Sequence, residues 1–143
     1  MPRIIKKSVV YLVLAALAGC ATTASNILNV QTLKGGAISK KVEINDRILA
    51  KTLSFGKVAL KYIDSEQRLM AQVLIQNRRS RDVSFEYKFI WYDENGFEIS
   101  PITSWIPATL SAKESRGYTS VSPGPGAQGF KLLIRRPHAL TGT

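Results

Sequence analysis

The chain is poor in several residue types, and each shortage removes a class of architecture or chemistry. It has one cysteine, Cys20, and one histidine, His138, among 143 residues. A single thiol closes no disulfide within the chain, so an apolar core must hold the fold. Metal sites need clustered histidine, cysteine or carboxylate ligands, and the two methionines, Met1 and Met70, make no thioether cluster. No metal or cofactor is expected. His138 follows Pro137, beyond the last strand-like segment, where nothing holds a catalytic base rigid. Gly124 and Gly126 alternate with Pro123 and Pro125, which lack the N–H groups of a phosphate cradle. Carboxylate pairs of the glycosidase kind are not placed by any spacing, because such pairs often lie far apart in sequence. No catalytic residue is assigned. No apolar run reaches the roughly twenty residues that cross a bilayer as a helix. Acidic residues are also scarce, 10 against 20 lysines and arginines, for a net charge of +10.

What is present begins with an export pattern. Arg3, Lys6 and Lys7 precede an apolar run over residues 9–18, about half the length of a membrane span. The run closes with Leu17-Ala18-Gly19-Cys20, which resembles the lipobox of bacterial lipoproteins. That resemblance implies cleavage between Gly19 and Cys20 and acylation of Cys20. Two or three acyl chains at about 0.8 kcal/mol per buried methylene make a firm anchor. Ala21 rather than an aspartate follows Cys20, which by resemblance to the enterobacterial sorting rule implies the outer membrane, with the domain facing the periplasm. Ordinary signal cleavage at the same place would leave a free thiol in an oxidising compartment.

Loss of the leader removes three cations and no acid, leaving the chain from Cys20 with a charge of about +7. Export makes nucleic acid an unavailable partner. Cell-wall carboxylates and anionic lipid headgroups are at hand, and scattered cations also keep sheet edges unpaired and soluble. Residues 20–37 are rich in Thr, Ser, Asn and Gly and read as a lipidated cysteine plus flexible tether, in which Ile27, Leu28, Val30 and Leu33 could dock on the domain. Residues 38–137 read as one domain and 138–143 as a polar tail.

Within the domain the period is two. Leu69, Ala71, Val73 and Ile75 share one face of a strand over 69–77; Val83, Phe85, Tyr87, Phe89 and Trp91 share one face of a strand over 83–92. The polar loop between them predicts an adjacent antiparallel pair. Val58, Leu60 and Tyr62 form another apolar face, and Phe130, Leu132 and Ile134 a last one. Asn95-Gly96 predicts a hairpin with residues 97–99 as its returning arm. Pro101 and Pro107 confine the next segment to an edge or irregular path. Residues 46–53 suit either a helical turn or an irregular crossing. Six or seven short strands without a long helix predict an all-β, immunoglobulin-like antiparallel sandwich following an N-terminal signal helix and tether.

The stretch AQVLIQNRRSRDVSFEYKFIWYDENGFEI resembles the YcfL-type lipoproteins of proteobacteria, through Asn77-Arg78, the strand ending Trp91-Tyr92-Asp93, Gly96-Phe97, and the segment from Trp105 to Pro107. The unit YKFIWYDENGFEI also resembles FxLyD-type sandwich domains. The resemblance implies a fold and an envelope address, and no activity. Two candidate binding features remain. Arg78, Arg79 and Arg81 crowd one loop, with Arg135 and Arg136 ending the last strand, and arginine forks suit phosphate and carboxylate groups. Tyr92 and Trp105, with Phe97, are expected near the Asn-Gly hairpin, where exposed aromatics suit a partner. Asp93 and Glu94 suit a turn better than a cation. The expected function is a lipid-anchored, non-enzymatic module contacting another envelope protein. The alternatives are direct contact with cell wall or anionic lipid, and hydrolysis of an envelope polymer.

Overall fold

A computed structural model of the chain describes residues 23–63, 65 and 67–137. The leader, Gly19, Cys20 and His138 lie outside the described residues. Eight strands are described: β1 (Ser25–Thr32), β2 (Ile38–Glu43), β3 (Leu53–Tyr62), β4 (Leu69–Asn77), β5 (Val83–Asp93), β6 (Ile106–Leu110), β7 (Ser115–Val121) and β8 (Ala127–Arg135). One short α-helix, α1 (Arg47–Thr52), joins β2 to β3. The strands form a five-stranded sheet, β2-β1-β8-β5-β6, and a three-stranded sheet, β3-β4-β7, every pair antiparallel. The all-β sandwich expected from the alternation is the observed fold.

The core is the set of inward faces the alternation marks. Leu69, Ala71, Val73 and Ile75 of β4 face Phe85, Phe89 and Trp91 of β5 and Phe130, Leu132 and Ile134 of β8, all buried. Rings interlock across it: Phe85 meets Tyr118 at 5.8 Å and Trp91 meets Phe130 at 5.3 Å. Each large side chain so buried contributes about 2–3 kcal/mol. Trp91 also donates its indole N–H to Ser120 Oγ at 3.0 Å, a polar stitch between the two sheets.

Four expectations are corrected. β4 and β5 are neighbours in sequence but lie in opposite sheets, β4 between β3 and β7, and β5 between β8 and β6. Alternation fixes which face a strand buries, and both faces here are satisfied by meeting across the core. The predicted tether over residues 20–37 is replaced from Ser25 onward by β1, a strand paired on both edges. Its inward residues Asn26, Leu28 and Val30 are buried, while Ile27, Asn29 and Gln31 face outward. The returning arm of the Gly96 hairpin is a single bridge, Tyr92 to Glu98, and not a strand. Tyr62, expected inward with Val58 and Leu60, is 64% exposed at the end of β3, where the strand runs past the core. Pro107 lies in edge strand β6, where a missing N–H is harmless.

Candidate functional site

The registers sort every loop to one of two ends. Ser25 opposes Arg135, Leu53 opposes Asn77, and Val83 opposes Leu110. The entry of β1, helix α1, the 78–82 loop, the β6–β7 turn and the exit of β8 therefore share one end. The β1–β2 turn, the β3–β4 connection, the Gly96 hairpin and the Pro123-containing loop share the other.

At the entry end, buried side chains set the backbone. Asn26, inside β1, donates Nδ2 to the Asp46 carbonyl at 3.0 Å, and its Oδ1 accepts from the N–H groups of Asn45 (2.9 Å) and Asp46 (2.8 Å). Asp46 then caps α1, its Oδ1 accepting from Ile48 N at 3.1 Å and Leu49 N at 3.0 Å. Its other oxygen accepts from Arg136 Nε at 2.7 Å. Burial pushes the Asp46 carboxyl up, but the N–H of Leu49, Arg136 and the N–H of Ile48 outweigh it and hold it below the usual range. Asn77, fully buried at the end of β4, donates Nδ2 to the carbonyls of Arg81 (2.8 Å), Ser111 (2.9 Å) and Leu110 (3.2 Å), and accepts from Arg79 N at 2.9 Å. Lys113 donates Nζ to the Arg78 carbonyl at 2.6 Å, and Arg78 N donates to Thr52 O at 2.8 Å.

The side chains displayed on this frame are mostly cationic. Arg78, Arg79 and Arg81 are exposed as expected, and with Arg47, Lys51 and Lys113 they form no ion pair with a described residue. The acids nearby are largely engaged: Asp46 with Arg136 (2.7 Å), Glu86 with Arg135 (2.9 Å), and Glu114 with Arg116 (2.6 Å). Glu43 and Asp82 are exposed at the same end. Between the cations, Ile44 is 48% exposed and Ile48 is 61% exposed. Neither isoleucine reads from the sequence as a binding residue: Ile44 falls in the short alternation of 42–45, and Ile48 in the 46–53 segment, which suits either a helical turn or an irregular crossing.

The two aromatics expected together are apart. Trp105 is half-buried on the outer face of the larger sheet, between Lys88 Nζ (4.8 Å from the ring centre) and Arg135 Cζ (4.0 Å). Tyr92 lies four residues from Lys88 along β5, about 13 Å of strand, beneath Lys131 Nζ at 5.0 Å. Burial, then the charge and hydrogen bond of Glu98, push the Tyr92 phenol up. Tyr92 joins Asn29, Gln31, Asn95, Gln128 and Lys131 around an open polar groove of about 490 Å³ at the far end. Gly129 forms part of its floor: a Cβ there would stand 2.5 Å from the Val30 carbonyl oxygen. Asp93 is spent on the hairpin, accepting from the N–H groups of Asn95 and Phe97 at 2.9 Å, as a turn former does. Gly96 takes the positive φ of 81° that the turn requires. Phe97, which closes the turn by accepting from Asp93 N at 2.9 Å, is 70% exposed, and Leu33, next in sequence to the groove-lining Thr32, is exposed as well. Among the described residues, no three His, Cys, Asp or Glu side chains converge to hold a metal ion.

The family described as a protein of unknown function, DUF1425, matches residues 40–136. The chain belongs to that family. The DUF1425 match begins within β2 and takes in β3 to β8, with the 78–82 loop, α1 and the Gly96 hairpin; β1, with Asn26, Asn29 and Gln31, lies before it. The crystal structure of a DUF1425 family member from Shewanella sp. pv-4 superposes with a TM-score of 0.54 at 23% identity, covering 78% of this chain and 91% of that one, which shows the shared fold. The crystal structure of Campylobacter jejuni cj0090 gives a TM-score of 0.49 at 18% identity over 57% of this chain and 83% of that one. No curated protein matches the chain.

Proposed function

We propose that this DUF1425 protein is a lipoprotein of the bacterial envelope, of the YcfL type, acylated at Cys20 and held on the outer membrane with its domain facing the periplasm. The sandwich is a non-enzymatic binding module that contacts another envelope protein through the end remote from the anchor. The observation that carries this reading is the division of the two ends. Only four residues separate Cys20 from Ser25, where β1 begins, so the loops around Phe97 and Leu33 project away from the point of attachment. An exposed phenylalanine at a hairpin tip beside an amide-lined groove suits a protein partner better than a charged polymer.

Two experiments test it. Cys20→Ser should leave an unprocessed precursor in the membrane; a cleaved, soluble mature form from that variant sinks the anchoring claim. A photo-crosslinking residue at position 97 should capture a discrete protein in living cells, and the yield should fall several-fold when Phe97 is left in place and the probe is moved to position 81. Capture that is equal at both positions, or lipid alone at position 97, contradicts a protein partner at the remote end.

A further inference from the structure

We propose that the entry end of the sandwich is a membrane-docking face, built for the phosphate-bearing anionic headgroups of the bilayer that holds Cys20. The inference rests on the anchoring part of the reading above and adds the orientation of the domain and the chemistry of its contact.

Three observations carry it. The first is reach. From Cys20 to Ser25 the chain spans at most about 17 Å even when fully extended, because β1 begins at Ser25 and not after residue 37. The nine residues of β4 run about 30 Å from one end of the sandwich to the other. A domain so tied cannot stand inverted with its hairpin end on the bilayer.

The second is charge. Arg47, Lys51, Arg78, Arg79, Arg81 and Lys113 share the entry end, and none is neutralised by a described acid. Glu43 and Asp82 reduce the excess and do not cancel it. Cations within a Debye length of an anionic leaflet, about 8 Å in physiological salt, are each worth roughly fivefold in the docked ratio. Arginine forks match phosphate oxygens two at a time.

The third is the apolar pair at the same place. Ile44 and Ile48 stand exposed beside Arg47 and Lys51, with Leu49 turned inward to anchor α1 to the core. A basic rim around exposed aliphatic side chains is the composition of an interfacial surface. The buried amide of Asn77 fixes the loop backbone, so the arginines are presented on a rigid frame and little ordering is lost on contact. Trp105 does not join this face, being occupied between Lys88 and Arg135.

The test uses the full acylated chain, extracted from membranes and reconstituted into vesicles of phosphatidylcholine, with or without about one third phosphatidylglycerol. The chain has one cysteine, so with Cys20 acylated an introduced cysteine is the only free thiol. A fluorophore is placed at Ile48→Cys or at Phe97→Cys and quenched by a headgroup nitroxide lipid. In anionic vesicles the position 48 label should be quenched several-fold more than the position 97 label. Arg78→Ser, Arg79→Ser and Arg81→Ser together should lower the docked ratio by about fivefold per charge removed. Salt near 1 M, with its Debye length of about 3 Å, should do the same without any substitution, as should vesicles of phosphatidylcholine alone. Equal quenching at the two positions overturns the orientation. A preference for position 48 that neither charge removal nor salt alters overturns headgroup recognition. The mass of the N-terminal peptide is read on the same sample. An acylated Cys20 with equal quenching defeats the docking face alone, whereas an unmodified Cys20 defeats the anchor and the docking face with it.

Discussion

The two ends of this sandwich solve the same problem by different means. Each must turn antiparallel strands around within a few residues and satisfy the backbone groups left over. At the entry end, buried polar side chains do so: Asn26, Asp46 and Asn77 between them make nine hydrogen bonds to backbone groups, fixing α1, the 78–82 loop and the β6–β7 turn. At the far end, glycines at positive φ (Gly35, Gly36, Gly96 and Gly126) and backbone turns carry the reversals, and Ser122 is the buried polar residue. Glycine turns are short and locally determined. Amide-templated loops couple segments distant in sequence, and so can hold six unneutralised cations on one frame. The difference ties the rigidity of the entry end to the charge it displays.

The comparison breaks most sharply at Asn77. Asn77→Ala leaves three carbonyls and the Arg79 N–H without their buried partner. At about 1 kcal/mol for each of the four bonds lost, the cost is about 4 kcal/mol, read as a shift in the midpoint of urea unfolding. Asn77→Asp, which cannot donate, should cost nearly as much. A loss below about 1 kcal/mol would show that the basic loop is held by its own turns. Next in size is Gly129→Ala at the far end. The new Cβ would meet the Val30 carbonyl oxygen at 2.5 Å, and backbone cannot step aside as a side chain does. A cost of about 2 kcal/mol is expected, together with a narrowed groove and loss of crosslinking from position 97.

The alternation of β4, β5 and β8 was legible in the sequence because period two depends only on which face is buried, a property of the strand itself. Pairing is a property of two strands. Nothing in residues 77–82 says whether the chain turns back beside β4 or crosses to the opposite sheet, and it crosses. β1 was hidden by composition. Its core contribution is Leu28 and Val30, and the third inward residue is Asn26, whose buried amide replaces a hydrophobic side chain with hydrogen bonds to Asn45 and Asp46. A polar residue used that way reads as linker. Of the candidate site, the exposure of Arg78, Arg79 and Arg81 was readable from their loop. That Lys51, Lys113 and Ile48 join them was not, because α1, the β6–β7 turn and the arginine loop meet only through the folded registers. The separation of Trp105 from Tyr92 has the same origin.

Asp46 gives the comparison a pH dependence. Its carboxyl is lowered on folding, so its contribution is complete above the unfolded value of about 3.9 and disappears as pH falls through the folded value below that. Asp46→Ala should cost about 1 kcal/mol at neutral pH through loss of the helix cap. The gap from the native protein should close in the acid range below about pH 4. Asp46→Asn, which still caps, should lose less. The Arg136 partner is 55% exposed, so its share is small. A gap that persists unchanged in acid would mean that the ionised carboxylate is not what holds α1 to β1.

The smallest effect is expected midway between the ends, at Tyr118. Its ring packs 4.7 Å from Tyr87 and 5.8 Å from Phe85, so the ring contributes to the core. Its hydroxyl is buried with no hydrogen-bond partner among the described residues. Burial pushes the phenol up, and the nearby Arg116 guanidinium pulls against that without reversing it. Arg116 donates to Glu114 from Nε at 3.0 Å and Nη2 at 2.6 Å. Tyr118→Phe keeps the ring and removes a buried polar atom that has no partner among the described residues. Stability should be unchanged or rise by up to about 1 kcal/mol, and neither crosslinking from position 97 nor quenching at position 48 should move. A loss of 1 kcal/mol or more would mean that the hydroxyl holds the Arg116–Glu114 pair in place, extending the side-chain scaffold of the entry end into the middle of the sandwich.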